Sequence, residues 1–447
     1  MESAALKTAA LICVAASWLT ACDSDLSLSG SSYTVGGTVS GLTGSDLVLQ
    51  YASGSNATST LTISANGSFA FAPHVANGSA YSISIESQPV NPAQICTVSN
   101  GSGTLAGSDV TDVIVRCGPT TRFAYVANKL SNSISAYAVN STTGALIPIA
   151  GSPFVSTGSQ PDSVSAGPGG NFLYVANSGS NDLSIFSINT GTGLLDPLAT
   201  VPTGAAPYGI LVNPTGTYLY VSNYSSNNIS AYAINASSGA LTELSGSPFS
   251  VGVAPTSLAT DPSGRYLYVA NYGSASVSVL QLNSSTGALS NIAGSPFAAG
   301  TGPISVAIDA TGAFAYVANA AAATISEYSI EASTGALTVV PGSPLATQSS
   351  PTSLAIAGTS LIATDVTQSD NVGTFAIAGT GVLSLSGMTQ TGGSPVSLTI
   401  DPSGQFAYVV CEGTNNVFVY SVSAGALTPA APLSVTAGTG PVSIAIN

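Results

Sequence analysis

Serine recurs at matching points of this chain. Of seven equivalent residue pairs, Asp162-Ser163, Tyr208-Gly209, Thr256-Ser257, Ile304-Ser305, Thr352-Ser353, Val396-Ser397 and Val442-Ser443, six end in serine. Hydroxyls gathered at one place would make a neutral, hydrogen-bonding lining suited to a sugar or another uncharged ligand. The plainer alternative is that a small residue fits a crowded position. Without a neighbouring base none of these serines is an activated nucleophile. Lys129, Asp162 and Glu412 are the charged residues expected near the same positions. They are candidates for one polar cluster and, if the chain is an enzyme, for its catalytic groups; the alternative is three solvated surface charges. There is no Cys/His metal spacing, no Asp-x-Asp calcium loop and no phosphate-cradling glycine motif, so neither metal nor cofactor is expected.

What must position these residues is a repeat. The string Tyr-Val-Ala-Asn begins at Tyr125, Tyr174, Tyr268 and Tyr316, becomes Tyr-Val-Ser-Asn at Tyr220, and degenerates at Ile362 and Tyr408, with 46–49 residues between copies. In the copy starting at Pro255, Ser257–Thr260 leads through the turn Asp261-Pro262-Ser263-Gly264 into Tyr266–Asn271. Val277–Leu282 and an edge segment ending near Phe297 follow. Pro at the second and Gly at the fourth turn position suit a type I turn between antiparallel strands. Seven four-stranded meanders of this length predict a seven-bladed β-propeller over residues 122–447. The first copy lacks its innermost strand, and Pro441–Asn447 reads as that missing strand. A transmembrane β-barrel is the rival, but it needs segments of about ten residues with a lipid-facing side. The tyrosines are expected to pack between blades, and the asparagines to cap the following turn.

The chain of 447 residues has 5 Lys+Arg against 19 Asp+Glu, a net charge of −14, 45% hydrophobic residues, 48 Gly and 25 Pro. It is too apolar for disorder and too rich in turn formers for a helical protein, so an all-β fold is expected. Five bases cannot neutralise a run of phosphates, which excludes nucleic acid as a partner. Residues 1–21 read as an export signal: an apolar stretch too short to span a bilayer, ending in Leu19-Thr20-Ala21-Cys22. That ending resembles the bacterial lipoprotein signal, which implies acylation of Cys22 and a lipid-anchored protein of the cell envelope facing the periplasm or the exterior. A plain signal peptide with a chance cysteine is the alternative. Residues 22–32 read as a linker and 33–117 as a small antiparallel β-sandwich, its short alternating runs split by Asn-Gly turns at Asn66, Asn77 and Asn100. Cys96 and Cys117 fall in that domain, and an oxidising compartment favours a disulfide between them. Cys411 is left over and reads as a small buried side chain. A monomer is expected.

The Tyr-Val-Ala-Asn and Asp-Pro-Ser-Gly units resemble the Tyr-Val-Thr-Asn repeats of envelope propellers. They are also similar to the seven-bladed lactonase family that includes 6-phosphogluconolactonase. That resemblance implies Arg and His just after the start of the innermost strands, holding and hydrolysing an anionic lactone. None of the seven pairs contains either residue. The single histidine, His74, lies in the front domain, and the bases Arg122, Lys129 and Arg265 are the propeller's whole supply. Arg265 follows an Asp-Pro-Ser-Gly turn and is expected on the opposite face. Two functions therefore compete: a propeller that binds a neutral small molecule, a carbohydrate or an envelope protein, and a lactone hydrolase acting outside the cytoplasm. A purely structural coat is a third.

Overall fold

The computed structural model describes residues 32–447 apart from 44, 54–57, 88, 90–93, 120–121, 168, 348, 366–369 and 424. The signal segment 1–21, Cys22 and the linker up to residue 31 lie outside the described residues. Two compact units divide the chain, residues 1–120 and 121–447.

The first unit is a sandwich of two four-stranded sheets. Val35, Leu47, Leu49, Val113 and Val115 are completely buried between them, each at every second position of its strand, as a half-buried strand requires. Pairing is antiparallel except in one place: Ser32–Ser40 runs parallel to Val110–Pro119. None of the three Asn-Gly steps closes a hairpin. Each carries the chain from one sheet to the other. Asn66 also ties the corner by accepting from the amide of Leu42 and donating to its carbonyl. Cys96 and Cys117 are register partners on neighbouring antiparallel strands and are joined by a disulfide.

The second unit is a ring of seven antiparallel sheets. The blade that opens at Pro255 has an innermost strand Pro255–Thr260, then Tyr266–Asn271 and Ser276–Leu282. Its outer edge is split into Leu289–Asn291 and Phe297–Ala298, both paired with the third strand. The split lies at Gly294-Ser295-Pro296, where proline cannot donate to the ladder. At the split the hydroxyl of Ser295 accepts from the amide of Val279 at 2.9 Å. Ser152, Ser247 and Ser343 do the same in three other blades. The Asp261 turn holds as expected: the amide of Gly264 donates to Asp261 O, and Asp261 Oδ1 accepts from Arg265 N and Tyr266 N.

The last strand, Pro441–Ile446, pairs with Arg122–Asn128 and completes the first blade. The repeat tyrosines Tyr125, Tyr174, Tyr220, Tyr268, Tyr316 and Tyr408 are fully buried. Each phenol donates to a glycine carbonyl of the next blade, at 2.8–3.1 Å: Gly193, Gly239, Gly287, Gly335, Gly381 and Gly144 respectively. A buried phenol needs such a partner. At the boundary between the sixth and seventh blades Ile362 replaces the tyrosine and packs with Leu398, Ala407 and Val409, while Tyr420 donates across that boundary to the carbonyl of Gln390 at 2.9 Å. The repeat asparagines do not cap the following turn. Their amides reach across the hairpin to third-strand hydroxyls, as from Asn271 to Ser276 and Ser278.

Candidate functional site

The innermost strands start at one mouth of the central channel. There they enclose a cavity of about 350 Å³. All six serines line it, together with Gly209, and so do Lys129, Asp162 and Glu412. The ring of hydroxyls does two things at once. Ser443 accepts from the amide of Val164, Ser257 from Val306, Ser305 from Leu354 and Ser353 from Leu398, each across a blade boundary at 3.1–3.3 Å. These bonds engage an oxygen lone pair. The O–H hydrogens of these four serines, and the whole hydroxyls of Ser163 and Ser397, have no partner among the described residues. They remain free to donate into the cavity. Gly209 breaks the series because a Cβ there would lie 2.4 Å from the carbonyl of Thr256. Ser222 bridges that boundary instead, accepting from Gly209 N at 2.9 Å and donating to Thr256 O.

The rim is positioned by backbone geometry. Just before the innermost strands, Gln160, Ala206, Ala254, Gly302, Ser394 and Gly440 adopt φ of 52–68°. This left-handed turn aims each carbonyl at the first residue beyond a second strand. Gly440 O accepts from Lys129 N at 2.7 Å, Ser394 O from Glu412 N at 2.9 Å, Ala206 O from Tyr224 N and Ala254 O from Tyr272 N. Asparagines in the next turn pin the same residues from the neighbouring blade. Asn227 Oδ1 accepts from Ala254 N at 2.8 Å, and Asn415 Oδ1 from Gly440 N at 2.8 Å.

The three charged candidates do share one wall. Lys129 Nζ lies 2.6 Å from Asp162 Oδ1, with side chains 33% and 7% exposed, so the one cation of the cavity is already paired. The Glu412 carboxylate has no hydrogen-bond or ion-pair partner among the described residues. Arg265 and Arg122 lie away from this cavity, engaging Asp261 and Asp401 in turns at the other end of the strands. Cys411 is fully buried, burial pushes its thiol up, and it faces Thr391 rather than the mouth.

The lining also carries residues that the serine and charge pattern does not reveal. Tyr208 lines the cavity, with the Tyr224 ring 6.1 Å from it and Tyr272 a further 6.4 Å along. Burial, then the charge of Asp162, the neighbouring Tyr224 and the charge of Glu412 push the Tyr208 phenol up to about 12. The signal was present in the sequence: Tyr224 and Tyr272 follow the repeat asparagine, the slot that Lys129 and Glu412 occupy in their own copies. Among the described residues no group of three or more His, Cys, Asp or Glu is placed to hold a metal ion.

A sequence profile described as Lactonase, 7-bladed beta-propeller matches residues 114–252, 245–303 and 288–400. No curated protein matches the chain. Among solved structures it is similar to a candidate 6-phosphogluconolactonase from Bacteroides uniformis, with 20% identity over 73% of this chain and all of that one, at a TM-score of 0.65. A second from Bacteroides fragilis shows 22% identity over 73% and 98% at the same TM-score. A periplasmic gluconolactonase from Pseudomonas aeruginosa shows 19% identity over 73% and 98%, at a TM-score of 0.63. At these identities the neighbours establish the propeller fold alone, while the profile covers more than half of the chain: this protein belongs to the seven-bladed β-propeller lactonase family.

Proposed function

We propose that the propeller is a binding module of the cell envelope, anchored through Cys22, and that it takes a sugar-sized, non-anionic ligand in the channel mouth. One observation carries this reading. The cavity offers hydroxyl donors in a ring, while its one cation is engaged by Asp162 at 2.6 Å. A phosphate or carboxylate would have to displace Asp162 from Lys129 and would face Glu412, whereas sugar hydroxyls can accept from the serines directly. Calorimetry with the purified full-length protein and neutral hexoses tests it. Binding that weakens in Ser163→Ala or Ser397→Ala, whose hydroxyls hold no neighbour, supports the reading; no binding of any neutral sugar overturns it.

The second reading is a lactone hydrolase acting outside the cytoplasm. Glu412 beside the Lys129–Asp162 pair favours it, since a free carboxylate can act as general base and an ammonium can stabilise an oxyanion. The periplasmic gluconolactonase among the neighbours points the same way. Enzymatic opening of gluconolactone that disappears in Glu412→Gln would make this the function and displace the binding module.

A further inference from the structure

The cavity is electrostatically lopsided. On the wall formed by the seventh, first and second blades, Lys129 and Asp162 cancel, which leaves the Glu412 carboxylate as the net charge of the lining. In the third blade Tyr208 begins a row of three rings that continues through Tyr224 to Tyr272, the last of these 37% exposed at the rim. Both carboxylates act on the Tyr208 phenol, so this part of the mouth is negative in potential. The chain as a whole carries −14 and only 5 bases. A field of that sign draws cations toward a concave opening and repels anions.

An unpaired carboxylate and the electron-rich faces of tyrosine both attract a compact cation. A ring of unengaged hydroxyl donors serves a polyhydroxylated body. One chemical class satisfies both. We propose that the ligand is an amino sugar with a free ammonium group, the cation held between Glu412 and the tyrosine row and the sugar hydroxyls accepting from the ring serines. This rests on the reading that the mouth binds sugar-sized ligands, and adds to it the charge the ligand carries. It also reverses the sign of substrate that the lactonase resemblance implies.

The test uses glucosamine, N-acetylglucosamine and glucose, which share a ring but differ in charge. Each is titrated calorimetrically into the full-length protein at pH 6, at low salt and again in 0.5 M NaCl. Glucosamine is expected to bind about tenfold more tightly than the two neutral sugars, and the advantage to shrink severalfold in salt. Glu412→Gln should abolish the preference, since the amide keeps the shape but not the charge. Tyr208→Leu should weaken glucosamine more than glucose. If all three sugars bind alike, or if Glu412→Gln keeps the preference, the ammonium inference is wrong and the binding module stands. If none of the three binds, both are wrong.

Discussion

The phenol of Tyr408 donates to the carbonyl of Gly144, 2.9 Å away and 264 positions earlier in the chain. It ties the seventh blade to the first beside a second closure, in which Asn447 Oδ1 accepts from Phe123 N at 2.7 Å. Long-range bonds of this kind hold a ring shut only when its last strand is in place. Deleting residues 440–447 removes the strand Pro441–Ile446, the Gly440 carbonyl under Lys129 and the Asn447 bond together. Unpaired edges would then face each other across a gap. The truncated protein should aggregate or lose cooperative melting, as followed by circular dichroism; a melting curve like that of the full chain would refute the closure. Tyr408→Phe removes one bond and leaves a buried carbonyl unpaired, at a cost of about 1–3 kcal/mol.

Ala275 holds φ at 48° in the turn where other blades place Asn227 or Asn415. Asparagine tolerates this conformation better than alanine. Its side chain would also face the amide of Gly302, which has no partner among the described residues. Ala275→Asn should therefore stabilise the propeller by about 0.5–1.5 kcal/mol in urea titration. A neutral or destabilising result would mean that the bond does not transfer between blades.

Burial raises the repeat tyrosines above their ordinary value, Tyr174 to about 12, and Tyr137 and Tyr232 outside the repeat string also to about 12. For a group whose folded-state value is raised, stability is complete below the unfolded-state value and falls as pH climbs toward the folded one. The loss therefore begins near pH 10, where unfolded tyrosine ionises. Each such tyrosine removes about 1.4 kcal/mol per pH unit, so several acting together should unfold the propeller steeply between about pH 10 and 12. Tyrosine absorbance at 295 nm should rise in step with the loss of circular dichroism. Ionisation of the whole tyrosine complement well before unfolding would contradict the burial.

Cys22→Ser should release the protein into the soluble envelope fraction or block its processing. Membrane fractionation decides this, and wild-type retention of the variant would remove the anchor from the proposed function.

Hydrolysis of 6-phosphogluconolactone should stay at background. The cavity offers no cation beyond the paired Lys129 to hold a phosphate, and losing a charge-assisted hydrogen bond costs about 1.5–3 kcal/mol. Enzymatic turnover that vanishes in Lys129→Met or Asp162→Asn would show that the pair opens to accept the anion.

The propeller was legible because one local structure returns seven times: Tyr-Val-x-Asn marks the buried second strand in five copies and degenerates in two, and Asp-Pro-Ser-Gly marks the turn before it at Asp261 and Asp401. The serines could be placed for the same reason. Their shared use as ties between blades could not, because it depends on how closely Ser305 approaches Leu354 in the next repeat. Tyr208 falls at one of the seven mouth pairs, yet a pattern of serines and charges does not single it out. The corners in the sandwich were hidden because Asn-Gly suggests a hairpin, and the parallel pair was hidden because it joins strands at opposite ends of the unit, Ser32–Ser40 and Val110–Pro119.

Ile362 leaves one joint of the ring without the repeat's own clasp. Six blade boundaries carry the repeat tyrosine's bond to a glycine carbonyl; before the seventh blade Ile362 packs against Leu398, Ala407 and Val409, and directional bonds come from elsewhere, from Tyr420 to the carbonyl of Gln390 at 2.9 Å and from Leu398 N to Ser353 at 3.1 Å. Among the described residues the phenol at this joint reaches back from the later blade instead of forward from the earlier one, so the seventh blade holds itself to the sixth.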